Sequence, residues 1–204
     1  MAPTLSQIYL RCAMIAWGVV LGTMSSQLGA ATPIQALQET LDRFQSILLD
    51  ASLQEESRQE QVLGTLLARF DVWEMSKRIL GPYWDQHDNQ QDAFVAEFAA
   101  FMKRIFSKHF DQIRTLKVDC RDEEIQGSMA KVGANLSTSG KEFIINFRMH
   151  QHDSEWKIYD VLLDNGSFSL VKSYRTQLQW IMQSSSFEHL LHIIGEKNSS
   201  ISPK

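Results

Sequence analysis

The hydrophobic period changes twice along this chain. Up to about residue 114 the apolar residues fall at helical spacing. From Leu116 they alternate with polar ones, and from about Phe168 the helical spacing returns. A helix with an apolar stripe and a strand with an apolar face must each bury that surface against another layer. Helices, then a run of strands joined by short turns, then helices again therefore predict an α+β domain. Its sheet is antiparallel and twisted, of about four strands, covered by N- and C-terminal helices.

Local chemistry marks the elements. Thr32-Pro33 sets a cap before a proline at the first helical position. Leu37, Leu41, Phe44 and Leu48 follow at helical spacing. Ser52-Leu-Gln-Glu55 and Asp71-Val-Trp-Glu74 both read as capping boxes, and Gly81-Pro82 reads as a helix stop. Asp88 to Gln91 opens the longest helix, with Phe94, Phe98, Phe101 and Ile105 on one stripe and Val95, Met102 and Phe106 beside it. Strands are expected at Leu116–Cys120, Ala130–Leu136, Phe143–Met149 and Trp156–Leu163. Turns fall at Thr138 to Glu142 and at His150 to Glu155. The last strand is apolar on both faces, so alternation alone does not say which side looks inward.

The N-terminus does not read as part of the fold. Arg11 precedes a short apolar run, Cys12 to Leu21, and the small residues Ser25 to Ala31 follow. This is the pattern of a cleaved secretory signal over residues 1–31, and the apolar run falls short of the roughly 20 residues that span a bilayer. The expected arrangement is one domain over 32–197 and a disordered tail over 198–204. Arg11 is the only charged residue before Thr32, so removing it leaves a chain one unit more acidic than the −4 of the full sequence. That balance argues against nucleic acid as a partner. Cys120 is the only cysteine left after cleavage, so an exported domain here is held by its core and not by an internal disulfide.

No catalytic set stands out. His150 and His152 share a strand face beside Asp153, a spacing a metal can use, yet they sit at a predicted hairpin with no third ligand near in sequence. They read as a solvated turn. Ser169-Leu-Val-Lys172 matches a Ser-x-x-Lys nucleophile pattern without its companion motifs. Asp88, next to His87, is accounted for by capping. The chain reads as a non-enzyme with no cofactor and no metal. What remains is a surplus of apolar bulk, above all in Phe70 to Trp84, which periodicity alone assigns to core before cavity.

Phe70-Asp71, Met75, Gly81 and Tyr83-Trp84 together resemble the signature of the MlaC/toluene-tolerance family. Trp156-Lys-Ile-Tyr-Asp-Val161 is similar to that family's strand motif, and Ser169-Leu-Val-Lys-Ser-Tyr-Arg175 to its segment entering a helix. The three motifs occur in order over nearly the whole chain after residue 31. The resemblance implies a periplasmic carrier of phospholipid, with hopanoid-associated relatives in the same group. Such a carrier works between an inner-membrane ABC permease complex and an outer-membrane lipoprotein complex. It also implies acyl chains held in an apolar cavity between helices and sheet. The competing reading is an interaction module with no ligand.

On that reading the cavity wall would include Leu67, Phe70 and Trp73 and, on the longest helix, Phe94, Phe98, Phe101, Met102 and Ile105. The strands would add Val118, Ala130, Val132, Ile145, Phe147, Met149 and Ile158. Tyr174-Arg175 reads as a helix anchor. The sequence departs from the family pattern in a longer Leu163 to Val171 segment and in Ser184-Ser-Ser-Phe187, where a Gly-Gly pair is common.

Overall fold

The computed structural model describes residues 31–138, 141–163 and 166–199. The expected signal segment, apart from Ala31, and the end of the expected tail lie outside these residues, as do the centres of the 138–142 turn and of the 163–171 segment. Among the described residues, α1 (Pro33–Leu49), α2 (Glu55–Ala68) and α3 (Val72–Leu80) lead through two 3-10 turns, Gly81–Tyr83 and Asp88–Gln90, into α4 (Gln91–Lys108) and the short α5 (Phe110–Ile113). Strands β1 (Lys117–Gln126), β2 (Met129–Thr138), β3 (Lys141–His152), β4 (Glu155–Leu163) and β5 (Phe168–Ser169) follow, then α6 (Leu170–Ser184) and α7 (Phe187–Ser199).

The strands pair in chain order, each antiparallel to the next, as a five-stranded meander. The fifth strand was not expected: it is a two-residue extension, Phe168–Ser169 on Leu163–Leu162, made before the chain turns into α6. Two bulges break the alternation. One lies between Cys120 and Asp122. The other sets Arg148–Met149 of β3 against Asp160 and Ile158 of β4, so Tyr159 is the extra residue. A bulge reverses which face each later side chain meets. That is why β4 is apolar on both sides: Trp156 and Ile158 pack with α1 and the sheet, whereas Tyr159 packs among the helices.

Capping follows the sequence at α1 and in part at α3, where the Asp71 N–H turns to the Ile158 carbonyl in place of Glu74, and departs from it at α2 and α4. Thr32 and Gln35 form a reciprocal capping box on α1, and Asp71 caps α3 by accepting from the Glu74 N–H at 2.8 Å. Ser52 is not the cap of α2. Its hydroxyl and N–H both donate to Asp50 Oδ1, and Gln54 takes the cap position with no side-chain bond. Asp88 likewise belongs to the 3-10 turn that precedes α4.

Gly81 ends α3 at φ 57°, ψ −122°, a conformation open essentially to glycine. A Cβ there would make only an ordinary 3.5 Å contact with the Arg175 side chain, so the constraint is the backbone's; Arg175 Nε donates to the Arg78 carbonyl at 2.6 Å. The cation meets a last-turn carbonyl of α3 and so anchors α6 on the negative end of that helix. Gly81→Ala is expected to cost about 1–3 kcal/mol, read as a lower urea midpoint at an unchanged slope.

Ser169, the serine of the Ser-x-x-Lys pattern, is a helix cap. Its hydroxyl accepts from the Lys172 N–H and donates to Asp160 Oδ2 at 2.7 Å, while Asp160 Oδ1 accepts from the buried Val171 N–H. Asp160 is itself buried, with Arg148 3.6 Å away. The strand motif and the helix-entry motif are thus two halves of one joint between sheet and α6.

Candidate functional site

Buried apolar residues gather in three clusters. Met75, Ile79, Phe94, Phe98, Phe187 and Leu190 centre the first, among α3, α4, α6 and α7. Ala36, Leu37, Val132, Met149 and Ile158 hold α1 on the sheet. Phe44, Ile47, Val62, Leu63 and Phe110 join α1, α2 and α5. Between them lies a cavity of about 480 Å³, within the roughly 300–1,000 Å³ range of ligand pockets. Its walls come from every layer: Leu37 and Leu41 of α1, Leu66 and Phe70 around the end of α2, and Phe98, Phe101, Met102, Ile105 and Phe106 of α4. The sheet adds Val118, Leu136, Phe143, Ile145, Phe147, Ile158, Val161 and Leu163, and α6 adds Leu170 and Tyr174. Phe143 and Leu163 are also large exposed apolar residues, which sets the mouth at the start of β3 and the end of β4.

Two of the polar side chains on the wall, Thr40 and Arg69, are tied to each other and to the backbone. Thr40 donates to the Ala36 carbonyl at 3.0 Å and accepts from Arg69 Nε at 2.7 Å. Arg69 Nη1 donates to the Trp156 carbonyl at 2.8 Å. Burial lowers the Arg69 pKa, against the opposing pull of Glu155 and Glu39, and burial raises that of the Tyr174 phenol. The Tyr174 shift moves the phenol further from neutrality. Tyr174 meets Phe98 and Phe101 edge-on at 5.8 and 5.6 Å. Such a wall offers mainly hydrocarbon and aromatic faces.

Of the residues expected on the wall, Phe70, Phe98, Phe101, Met102, Ile105, Val118, Ile145, Phe147 and Ile158 come together around this cavity. The other six lie elsewhere. Trp73 packs edge-on against Trp84 at 5.0 Å and is partly exposed. Leu67 packs against the helical cluster, and Phe94 lies within it, against Phe187. Ala130, Val132 and Met149 pack in the cluster under α1. Residues missed by the sequence reading include Leu37 and Leu41, on the α1 stripe, and Phe143, which continues the alternation of Ile145 and Phe147. Phe70 is held at the cavity by the backbone: the Asp71 N–H donates to the Ile158 carbonyl and the Ile158 N–H to that of Arg69, both at 2.8 Å.

The chain is similar to a solved structure described as the phospholipid-binding protein from Ralstonia solanacearum in complex with a phospholipid. The identity is 17%, the TM-score 0.67, and the match covers 81% of this chain and 96% of that one. At that identity the likeness shows the fold. No curated protein matches the chain. The family model described as MlaC protein matches residues 36–196, the span that builds both the sheet and the helices around the cavity, and the chain belongs to that family.

Proposed function

We propose that this protein is a periplasmic lipid carrier, exported by a cleaved signal over residues 1–31. It holds phospholipid acyl chains in the cavity between α1, α4 and the sheet. It passes lipid between an outer-membrane lipoprotein complex and an inner-membrane ABC permease. The observation that carries this reading is the cavity itself, walled by hydrocarbon and aromatic side chains, with Thr40 and Arg69 bonded to each other and to the backbone. Family membership and the phospholipid in the Ralstonia structure support the same reading.

The physics requires such a wall. At ~0.8 kcal/mol per methylene, roughly 30 methylenes of a two-chain lipid lose about 24 kcal/mol on leaving a bilayer. Only an interior of many apolar side chains offsets that, and no strong headgroup site is needed. Met102 adds an adaptable contact suited to varied chains.

The test is mass spectrometry of the solvent extract from purified protein, with a delipidated sample as control. Near-stoichiometric phospholipid is the expected result. Hopanoid in its place would keep the carrier and change the cargo. An extract without lipid, followed by no uptake from vesicles, would leave an interaction module with no ligand.

A further inference from the structure

His150 and His152 are the last turn-proximal residues of β3, and the turn proper is Asp153-Ser154, at φ 47° and 70°. The third ligand missing from the local sequence comes from 79 residues away. Asp71, at the cap of α3, places Oδ2 2.8 Å from His150 Nε2 and 3.5 Å from His152 Nδ1. All three donor atoms lie within 4.8 Å of one another. In a tetrahedral zinc site with bonds of about 2.0–2.2 Å, donors stand about 3.3 Å apart, a spacing the two measured distances bracket.

We propose that Asp71, His150 and His152 bind one divalent transition-metal ion, Zn²⁺ foremost, which fastens the α2–α3 junction to the end of β3. The supports are already built. Asp71 Oδ1 is held by the Glu74 N–H, and its backbone N–H by the Ile158 carbonyl, so Oδ2 is left toward the imidazoles. His152 Nε2 faces Asp153 Oδ2 at 3.5 Å. A metal on His152 would take Nδ1, the ring nitrogen nearer Asp71 Oδ2. His150 must likewise present a bare Nε2, with its proton on Nδ1. Its ring is steadied edge-on by Tyr159 at 5.8 Å, itself stacked by the Arg78 guanidinium.

Two imidazoles and one carboxylate favour zinc-like ions over Mg²⁺ and Ca²⁺, which take oxygen ligands. The His150 and Asp71 side chains are 16% and 9% exposed, whereas that of His152 is 56% exposed. The ion therefore enters from the His152 side, where water completes its coordination. None of this depends on the cavity's cargo.

The purified protein, treated with EDTA and desalted, is titrated with Zn²⁺ against a chromophoric chelator, and Mg²⁺ and Ca²⁺ are run alongside. One equivalent of Zn²⁺ and a raised Tm are expected, with no uptake of the other two ions. His152→Ala, at an exposed position, and His150→Gln, which keeps a hydrogen-bonding group facing Asp71, should each abolish the equivalent. A protein that takes up no Zn²⁺, or one that keeps the full equivalent in both histidine variants, overturns the proposal.

Discussion

Phe101→Asp should empty the protein of lipid while leaving it folded. Phe101 lies on the cavity wall, half-buried, one turn from Phe98 and edge-on to Tyr174. A carboxylate left unpaired on a hydrocarbon wall costs several kcal/mol. At about 1.4 kcal/mol per tenfold, affinity for an acyl chain falls on the order of 100-fold. Arg104, whose guanidinium stands 5.6 Å over the Phe101 ring, can pair with the new carboxylate and soften the loss. Phe147→Asp removes that relief, because its cross-strand neighbours are Val132 and Val161. The exposed Lys108→Ala serves as control and should keep its lipid. Lipid per folded protein is measured by extraction, and folding by circular dichroism. Equal lipid in Phe101→Asp and Lys108→Ala would take α4 out of the wall.

The features readable from the chain were those set by near neighbours. The α1 cap, the Gly81 stop and the antiparallel pairing of successive strands depend on near neighbours and occur as the sequence implies, whereas β1 runs on to Gln126 and the 150–155 turn shrinks to Asp153-Ser154. The cap of α2 differs because Asp50, two residues upstream, competes for Ser52. Long-range matters were hidden for stated reasons. The extra residue Tyr159 resets the phase of β4, so no count of alternation could show that Ile158, Val161 and Leu163 face the cavity together. Asp71 meets the two histidines only because its backbone is stitched to β4 beside them. On α4 the aromatic stripe is real, but a helical stripe winds past more than one neighbour. Phe98, Phe101 and Ile105 reach the cavity, while Phe94 meets α7.

That division of one stripe makes the last prediction. Phe94→Ala should cost about 3–5 kcal/mol, the range for removing a buried phenylalanine. Phe94 is fully buried, stacked on Phe98 at 6.2 Å and against Phe187 at 6.2 Å, and Phe187 in turn carries the His87 ring at 4.3 Å. Truncation leaves a hole between α4 and α7 that these neighbours cannot close without leaving their own contacts. Against a typical domain stability of about 5–15 kcal/mol, such a loss is large. It should appear as a much lower urea midpoint with the slope retained. Lipid per folded molecule should stay at the level of the unaltered protein, because Phe94 lies off the cavity wall. The two variants on one helix thus separate two roles, Phe101→Asp losing cargo and Phe94→Ala losing stability. If Phe94→Ala instead keeps its urea midpoint and loses its lipid, the cavity reaches one turn further along α4, and the helical cluster is held together without this ring.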